Sequence, residues 1–224
     1  MKAIVYHRFG SPDVVKCEEI EKPTPGDNQV LIKVRAAAAN PLDWRIMKGA
    51  PSVVRLLVGL RKPTAARPGR PGRDLAGQVE AVGRNVTLFR PGDEVFGASA
   101  GGTFAEYVCA DEKKLALKPA NISFEQAAGV PVAGSTALQG LRDIGKVQPG
   151  QKVLINGAAG GVGTFAVQIA KSLGAEVTGV CSTRNVEMVR ALGADEVIDY
   201  TREDFTNSVD LYDVMLDCMG KHPF

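Results

Sequence analysis

At 224 residues, with 45% hydrophobic and 23% charged side chains, the chain has the make-up of an ordinary globular protein and length for one large or two modest domains, which excludes the disordered and fibrous classes. Lys and Arg number 27 against 25 Asp and Glu, a formal charge of +2, so no global field drives the chain toward nucleic acid or an anionic membrane. Cys17, Cys109, Cys181 and Cys218 are far apart, without a C-x-x-C pair, and read as reduced thiols of a cytoplasmic protein; the opening MKAIVYHRFG is no signal h-region, and no run approaches the ~18 apolar residues of a membrane span.

Up to about Leu117 the pattern is short apolar runs, at Ala3 to Tyr6, Val30 to Val34, Gln78 to Val82 and Phe104 to Cys109. Such spacing predicts a compact, partly barrelled β domain. Pro25-Gly26-Asp27-Asn28, Gly83-Arg84-Asn85 and Pro91-Gly92-Asp93 between the runs are turn chemistry. Ser123 followed by Gln126 predicts a capping box and a helix from Phe124 toward Gly129, with a second helix over Ser135 to Asp143. After Gln148-Pro149-Gly150 the rhythm becomes strand, helix, strand, helix, so residues 1–120 read as a β-rich domain and 121–224 as an α/β domain.

Lys152 to Asn156 is a short buried-strand candidate that runs into Gly157-Ala158-Ala159-Gly160-Gly161-Val162-Gly163. Val162, Ala166, Ile169, Ala170 and Leu173 then fall on one face of a helix that Gly174 ends. From Ala158 the spacing is A-x-G-x-x-G, a variant of the dinucleotide fingerprint with alanine at the first glycine position. Gly160 would let backbone approach a pyrophosphate, Gly163 would let helix pack on strand, and Gly161 and Val162 open the helix whose N–H groups favour phosphate.

The second strand, Glu176 to Val180, leads to Cys181-Ser182-Thr183-Arg184-Asn185. An NAD site usually places an acid here for the ribose 2′-hydroxyl; hydroxyls at Ser182 and Thr183 and the forked guanidinium of Arg184 suit the 2′-phosphate of NADPH. The other reading is that Ser182 or Thr183 caps the next helix and Arg184 is a solvated surface residue.

These motifs, with Ala37-Ala38-Ala39-Asn40-Pro41-Leu42-Asp43, Val79-Glu80-Ala81-Val82-Gly83, Pro91-Gly92-Asp93-Glu94-Val95 and Leu192-Gly193-Ala194-Asp195, resemble the medium-chain dehydrogenase/reductase superfamily, and within it the zinc-independent quinone oxidoreductase branch. The resemblance spans essentially the whole chain. It implies an α/β protein in which a GroES-like β-rich substrate domain precedes a Rossmann domain, a doubly wound parallel sheet, with the active-site cleft between them and hydride passing from NADPH to a quinone, enone or related electrophilic carbonyl. Zinc-using relatives carry Cys near Asn40 and Gly-His-Glu where this chain reads Gly72-Arg73-Asp74, so no metal is expected. Asn40 and Asp43 match the branch's Asn-Pro-x-Asp motif and are the catalytic candidates, Asn40 as an amide donor and Asp43 as an orienting or proton-relaying group. Helix capping by the same two residues is an equally open reading. The resemblance also places Thr136 near the nicotinamide and Tyr200 near the 2′-phosphate, and Cys218 is counted with the cofactor-binding residues.

Strands are expected at about 152–156, 176–181, 196–199 and 213–217, the first part of a six-stranded sheet. The chain then reads Gly220-Lys221-His222-Pro223-Phe224, which suggests a partial Rossmann domain, impaired turnover and self-association through an exposed sheet edge. Two other functions stay open: an NADP(H)-binding module without turnover, and a nucleic-acid-binding protein using Arg45, Lys48, Arg55, Arg61, Lys62, Arg67, Arg70 and Arg73. Against the last, the basic run lacks interleaved aromatics for base stacking.

Overall fold

The computed structural model describes residues 1–49, 62–207 and 211–220, and the chain divides into two compact units, Met1–Val132 and Ala133–Phe224. The apolar stretch Ser52 to Leu60, with Arg55, as well as Arg61 and the terminal Lys221 to Phe224, lie outside the described residues.

In the first unit β1 (Lys2–Tyr6) pairs antiparallel with β2 (Val15–Glu19). Strands β3 (Gln29–Ala38), β4 (Asp74–Val82), β5 (Glu94–Ala98), β6 (Tyr107–Asp111) and β7 (Leu115–Leu117) form a second antiparallel sheet in the order β6-β3-β4-β5-β7. Register shifts between Leu31 and Ile32 and between Val34 and Ala36 bend β3, as extra residues in one strand of a pair do. Its inward side chains Val30 and Ile32 join Leu75 and Val95, all at 0% exposure, and each contributes roughly 1.5–3 kcal/mol by leaving water. β4 begins at Asp74, four residues before the predicted run at Gln78, because Asp74 to Gly77 are buried continuously and show no period of two.

Helix α1 (Pro41–Lys48) follows β3, and α2 (Phe124–Ala128) sets Ala127 and Ala128 against Ala36, Ala76 and Phe96. The predicted capping box opens α2: the Gln126 N–H donates to Ser123 Oγ at 3.2 Å and the Ser123 N–H to Gln126 Oε1 at 2.9 Å. The next helix, α3, runs Pro131–Leu138 and continues as a π-helical turn over Gln139–Ile144, earlier than the predicted Ser135 to Asp143. Pro131, as the first helical residue, sacrifices no hydrogen bond and lets the helix begin there.

The second unit holds parallel strands β8 (Lys152–Asn156), β9 (Glu176–Cys181), β10 (Glu196–Asp199) and β11 (Val214–Asp217) in the order β10-β9-β8-β11. Helix α4 (Gly161–Ser172) links β8 to β9, and α5 (Val186–Ala191) precedes β10. Ala166 and Ala170 are fully buried as the helical spacing predicts, and so is Val167, which the predicted face did not name. The chain winds outward from β8 through β9 to β10, then returns to the other flank of β8 with β11. That reversal opens a crevice beyond the carboxyl ends of β8 and β11, where open α/β sheets bind ligands. Among the described residues no helix is long and apolar enough to cross a membrane.

Candidate functional site

The second unit builds its candidate site at the β8 to α4 turn. The Gly157 and Ala158 N–H groups both donate to Val180 O, at 3.1 and 3.0 Å, which ties the turn to β9. Gly157 adopts φ +81°, and a Cβ at Gly163 would land on the Gly157 carbonyl and 2.7 Å from Ala158 Cα, so only glycine lets α4 start this close to the strand. A Cβ at Gly161 meets nothing within 4 Å. The amino end of the 12-residue α4 therefore faces open space with first-turn N–H groups that no helix satisfies internally. Gly160, Gly161, Val162 and Gly163 thus form a cradle fit for a pyrophosphate. The Ala158 methyl is fully buried in the core and its N–H is spent on Val180, so Ala158 shapes the turn from beneath.

Around this turn the carboxyl ends of the strands carry acids that the sequence reading passed over. Asn156, 4% exposed, donates its amide to Asp217 Oδ1 at 2.8 Å, bridging β8 and β11 at the crevice. Asp217 also accepts the Met219 and Gly220 N–H groups, each at 2.9 Å. Next to Asn156 lies a hollow of about 560 Å³ lined by Tyr200, Arg202 and Met219 among others. Tyr200 is 58% exposed, and Thr136 lies on an exposed position of α3. Burial, then Asp217, pushes the Cys218 thiol up to about 11, so it stays protonated and poorly nucleophilic at neutral pH.

β9 ends without an acid, as read from the sequence, but β10 places Asp199 in register with Cys181. The Asp199 carboxylate takes the Thr183 hydroxyl at 2.6 Å and the Thr201 hydroxyl at 2.7 Å. Thr183 is therefore spent on an internal bond and is not a free donor for a phosphate. Neither hydroxyl caps a helix through its side chain: Ser182 Oγ accepts from Asn185 Nδ2 at 3.2 Å, and Arg184 sits exposed in a one-turn 3-10 helix, Thr183–Asn185. The strand-terminal pattern Val197-Ile198-Asp199 was the signal that could have revealed this acid.

The Thr183 hydroxyl is the first cause holding the Asp199 carboxyl below its ordinary range, so the stability this carboxylate contributes is present above about pH 3.8 and is lost as pH falls through its depressed value. We expect Thr183→Val to melt below the wild type at neutral pH, with the gap closing in acid. A gap independent of pH, followed by circular dichroism from pH 7 to 2, would refute the coupling.

In the first unit Asn40 precedes α1. Its N–H donates to Asp43 Oδ2 at 2.8 Å, and Asp43 Oδ1 accepts the Gly72 N–H at 3.2 Å. Both oxygens of Asp43 are thus committed to backbone, which supports the capping reading for this residue. The Asn40 side chain turns elsewhere: Nδ2 donates to Asp74 Oδ2 at 3.0 Å. Asp74 is 1% exposed and also accepts the Val132 N–H, at 3.1 Å from Oδ1. Burial raises the Asp74 carboxyl above its ordinary range, with the Asn40 and Val132 bonds pulling the other way. Asn40 Nδ2 keeps a second hydrogen to donate. It lines an open hollow of about 410 Å³ walled by Ile4, Val15, Trp44, Met47 and Phe104, an apolar surface against which a flat apolar ligand could lie.

Zinc does not fit these residues. Asn40 and Arg73 offer amide and guanidinium donors where ligands would be needed, Asp74 already accepts N–H groups, and among the described residues no three His, Cys, Asp or Glu cluster to hold a metal.

Residues 26–120 match the alcohol dehydrogenase GroES-like domain and residues 161–224 the zinc-binding dehydrogenase family. The chain is 41% identical over 232 residues to the NADPH-dependent alkenal/one oxidoreductase, chloroplastic, of Arabidopsis thaliana, covering 98% of this chain and 58% of that protein. It is 36% identical over 237 residues to quinone-oxidoreductase QR1, chloroplastic, of Triphysaria versicolor, covering 100% and 70%. The quinone oxidoreductase structure from Coxiella burnetii superposes with a TM-score of 0.87 at 37% identity, covering 98% of this chain and 69% of that one. The chain therefore spans 58% of the length of the Arabidopsis relative.

Proposed function

The chain belongs to the quinone-oxidoreductase-like branch of the medium-chain dehydrogenase/reductase superfamily, and on that premise we propose that it is an NADPH-dependent, zinc-independent reductase of quinones, enones or related electrophilic carbonyls. The observation that carries this reading is the glycine cradle between β8 and α4, where a Cβ is excluded at Gly163 and open space lies beyond Gly161. The chemistry that a bound NADPH supplies is hydride donation. Gly160 to Gly163 would hold the pyrophosphate, and Arg184, which has no ion-pair partner among the described residues, would hold the 2′-phosphate with Tyr200. Ser182, Thr136 and Cys218 would flank the cofactor, with Thr183 acting through Asp199.

In the first unit Asn40 would donate its second amide hydrogen to the oxygen on which charge develops. Such a donor, held in orientation before reaction, lowers the barrier without reorganising at that moment. Asp74 holds that amide in orientation, and Asp43 positions the backbone around it instead of moving a proton. A cytoplasmic location rests on the four cysteines, all of them free thiols.

NADPH oxidation followed against a panel of quinones and enones tests the reading, and absence of turnover with every acceptor would leave only a nucleotide-binding module. Arg184→Ala is expected to weaken NADPH by ~1.5–3 kcal/mol, the range of a hydrogen bond to a charged group, and to leave NADH nearly untouched. Equal loss for both cofactors in fluorescence titrations would remove Arg184 from the phosphate site.

A further inference from the structure

A cavity of about 560 Å³ in the first unit is walled by Lys62, Arg67, Arg70 and Arg73. Among the described residues none of these four has a carboxylate at ion-pair distance, whereas Arg84, Arg142, Lys171 and Arg190 elsewhere each have one. The acid in the wall, Asp43, already gives both oxygens to the Asn40 and Gly72 N–H groups. Four positive charges are thus gathered around one concave surface against a single engaged negative one.

The backbone that carries them is held in place. Tyr6 and Gly69 exchange both N–H bonds, at 3.0 and 2.8 Å, and a Cβ on Gly69 would clash with the Tyr6 ring. Thr64 and Arg67 likewise exchange N–H bonds, at 3.0 and 3.1 Å, while Pro63, Pro68 and Pro71 fix φ between the cations. Like charges mounted on a constrained backbone repel, and a concave wall focuses their field; binding an anion relieves that cost. Asp43 and Pro71 also line the apolar hollow that holds Asn40, so the cationic and apolar surfaces share a wall.

We propose that the electrophile this chain reduces carries an anionic group, a carboxylate, that the cationic cavity holds while the carbonyl lies in the apolar hollow beside Asn40. The inference rests on the reductase reading for the carbonyl and on the four unpaired cations for the anion. Guanidinium forks match the planar oxygens of a carboxylate, which accounts for three arginines here.

The test compares trans-4-oxo-2-pentenoate with its methyl ester in NADPH oxidation by the full chain, and titrates the saturated pair, 4-oxopentanoate and its methyl ester, by calorimetry without cofactor. The expected acid-to-ester ratio of kcat/KM is about tenfold or more in low salt, shrinking as salt is added. In Arg67→Gln/Arg70→Gln, whose parent residues are exposed, the ratio falls toward one, while Arg84→Gln, at a paired surface cation, keeps it. Calorimetry shows 4-oxopentanoate binding and its ester not. The proposal is overturned if acid and ester are handled alike, or if the double variant loses NADPH affinity with the ratio unchanged, since the cations would then serve the cofactor's phosphates. Binding of 4-oxopentanoate with no reduction of any enone would keep the anion site and refute the reductase reading, whereas reduction of both enones without preference would do the reverse.

Discussion

Alanine at Gly163 is expected to unfold the second unit well below the melting temperature of the wild type and to abolish NADPH binding with it. The added methyl would land on the Gly157 carbonyl and 2.7 Å from Ala158 Cα. Both neighbours are backbone, locked by the N–H bonds from Gly157 and Ala158 to Val180, so nothing nearby can rotate away. Overpacking in a core ordinarily costs ~1–3 kcal/mol and more where backbone must shift, so a loss of ~3 kcal/mol or above is expected here. In a unit of this size each kcal/mol is about 4–8 °C. The same methyl at Gly161 meets open space, so Gly161→Ala should melt like the wild type while binding NADPH more weakly, its methyl standing where the pyrophosphate approaches. Thermal melts paired with cofactor titrations separate the two. If Gly163→Ala melts with the wild type, the close approach is not what shapes the turn; if Gly161→Ala binds NADPH at full strength, the cradle is not where the phosphate lies.

The second large effect is expected at Asp74. Alanine there removes the buried carboxylate that the Asn40 amide and the Val132 N–H share as acceptor. Each donor that loses this acceptor costs up to ~1–3 kcal/mol, so the variant should lose up to ~2–6 kcal/mol and, with Asn40 released, most of its turnover. Asp74→Asn, which keeps one acceptor, should lose less stability but should also fail to orient Asn40, lowering kcat more than it raises KM. Because burial raises the Asp74 pKa, the folded chain binds this proton more tightly than the unfolded one. Its stabilising contribution is complete below about pH 3.8 and is lost as pH rises through the raised value, so the wild type's advantage over Asp74→Asn should shrink from acid toward neutral pH. An advantage that grows with pH, or an Asp74→Ala variant with wild-type kcat, would dismiss Asp74 as the residue that positions Asn40.

Much of the framework was legible before any coordinates, because local rules and long-range packing agree there. Ser123 with Gln126, the strand from Lys152 to Asn156, the glycine turn and the four parallel strands all satisfy short-range requirements of turn, cap and period that no tertiary contact overrides. The misses share a different cause. β4 starts at Asp74 because a strand buried on both faces loses its alternation, and α3 starts at Pro131 because proline is harmless in a first turn and disruptive only later. Asp74 was read as a missing metal ligand, and Asp199 and Asp217 drew no attention. Their roles depend on neighbours 34, 16 and 61 residues away in sequence, at Asn40, Thr183 and Asn156.

By itself, then, the order of residues determined the class of fold and the place of the glycine turn that opens α4, and it offered the pairing of Asn40 with Asp43 at a helix start as one of two readings, since each is written in spacings of a few residues. Only the tertiary structure decided what those groups are free to do. It committed both Asp43 oxygens to backbone and spent the Thr183 hydroxyl on Asp199. It turned Asn40 toward Asp74 and gathered Lys62, Arg67, Arg70 and Arg73 around one cavity. The physical reason is that a polar side chain's availability is what remains after its nearest buried partners are satisfied, and those partners are brought together by strand pairing across tens of residues, which no local pattern encodes.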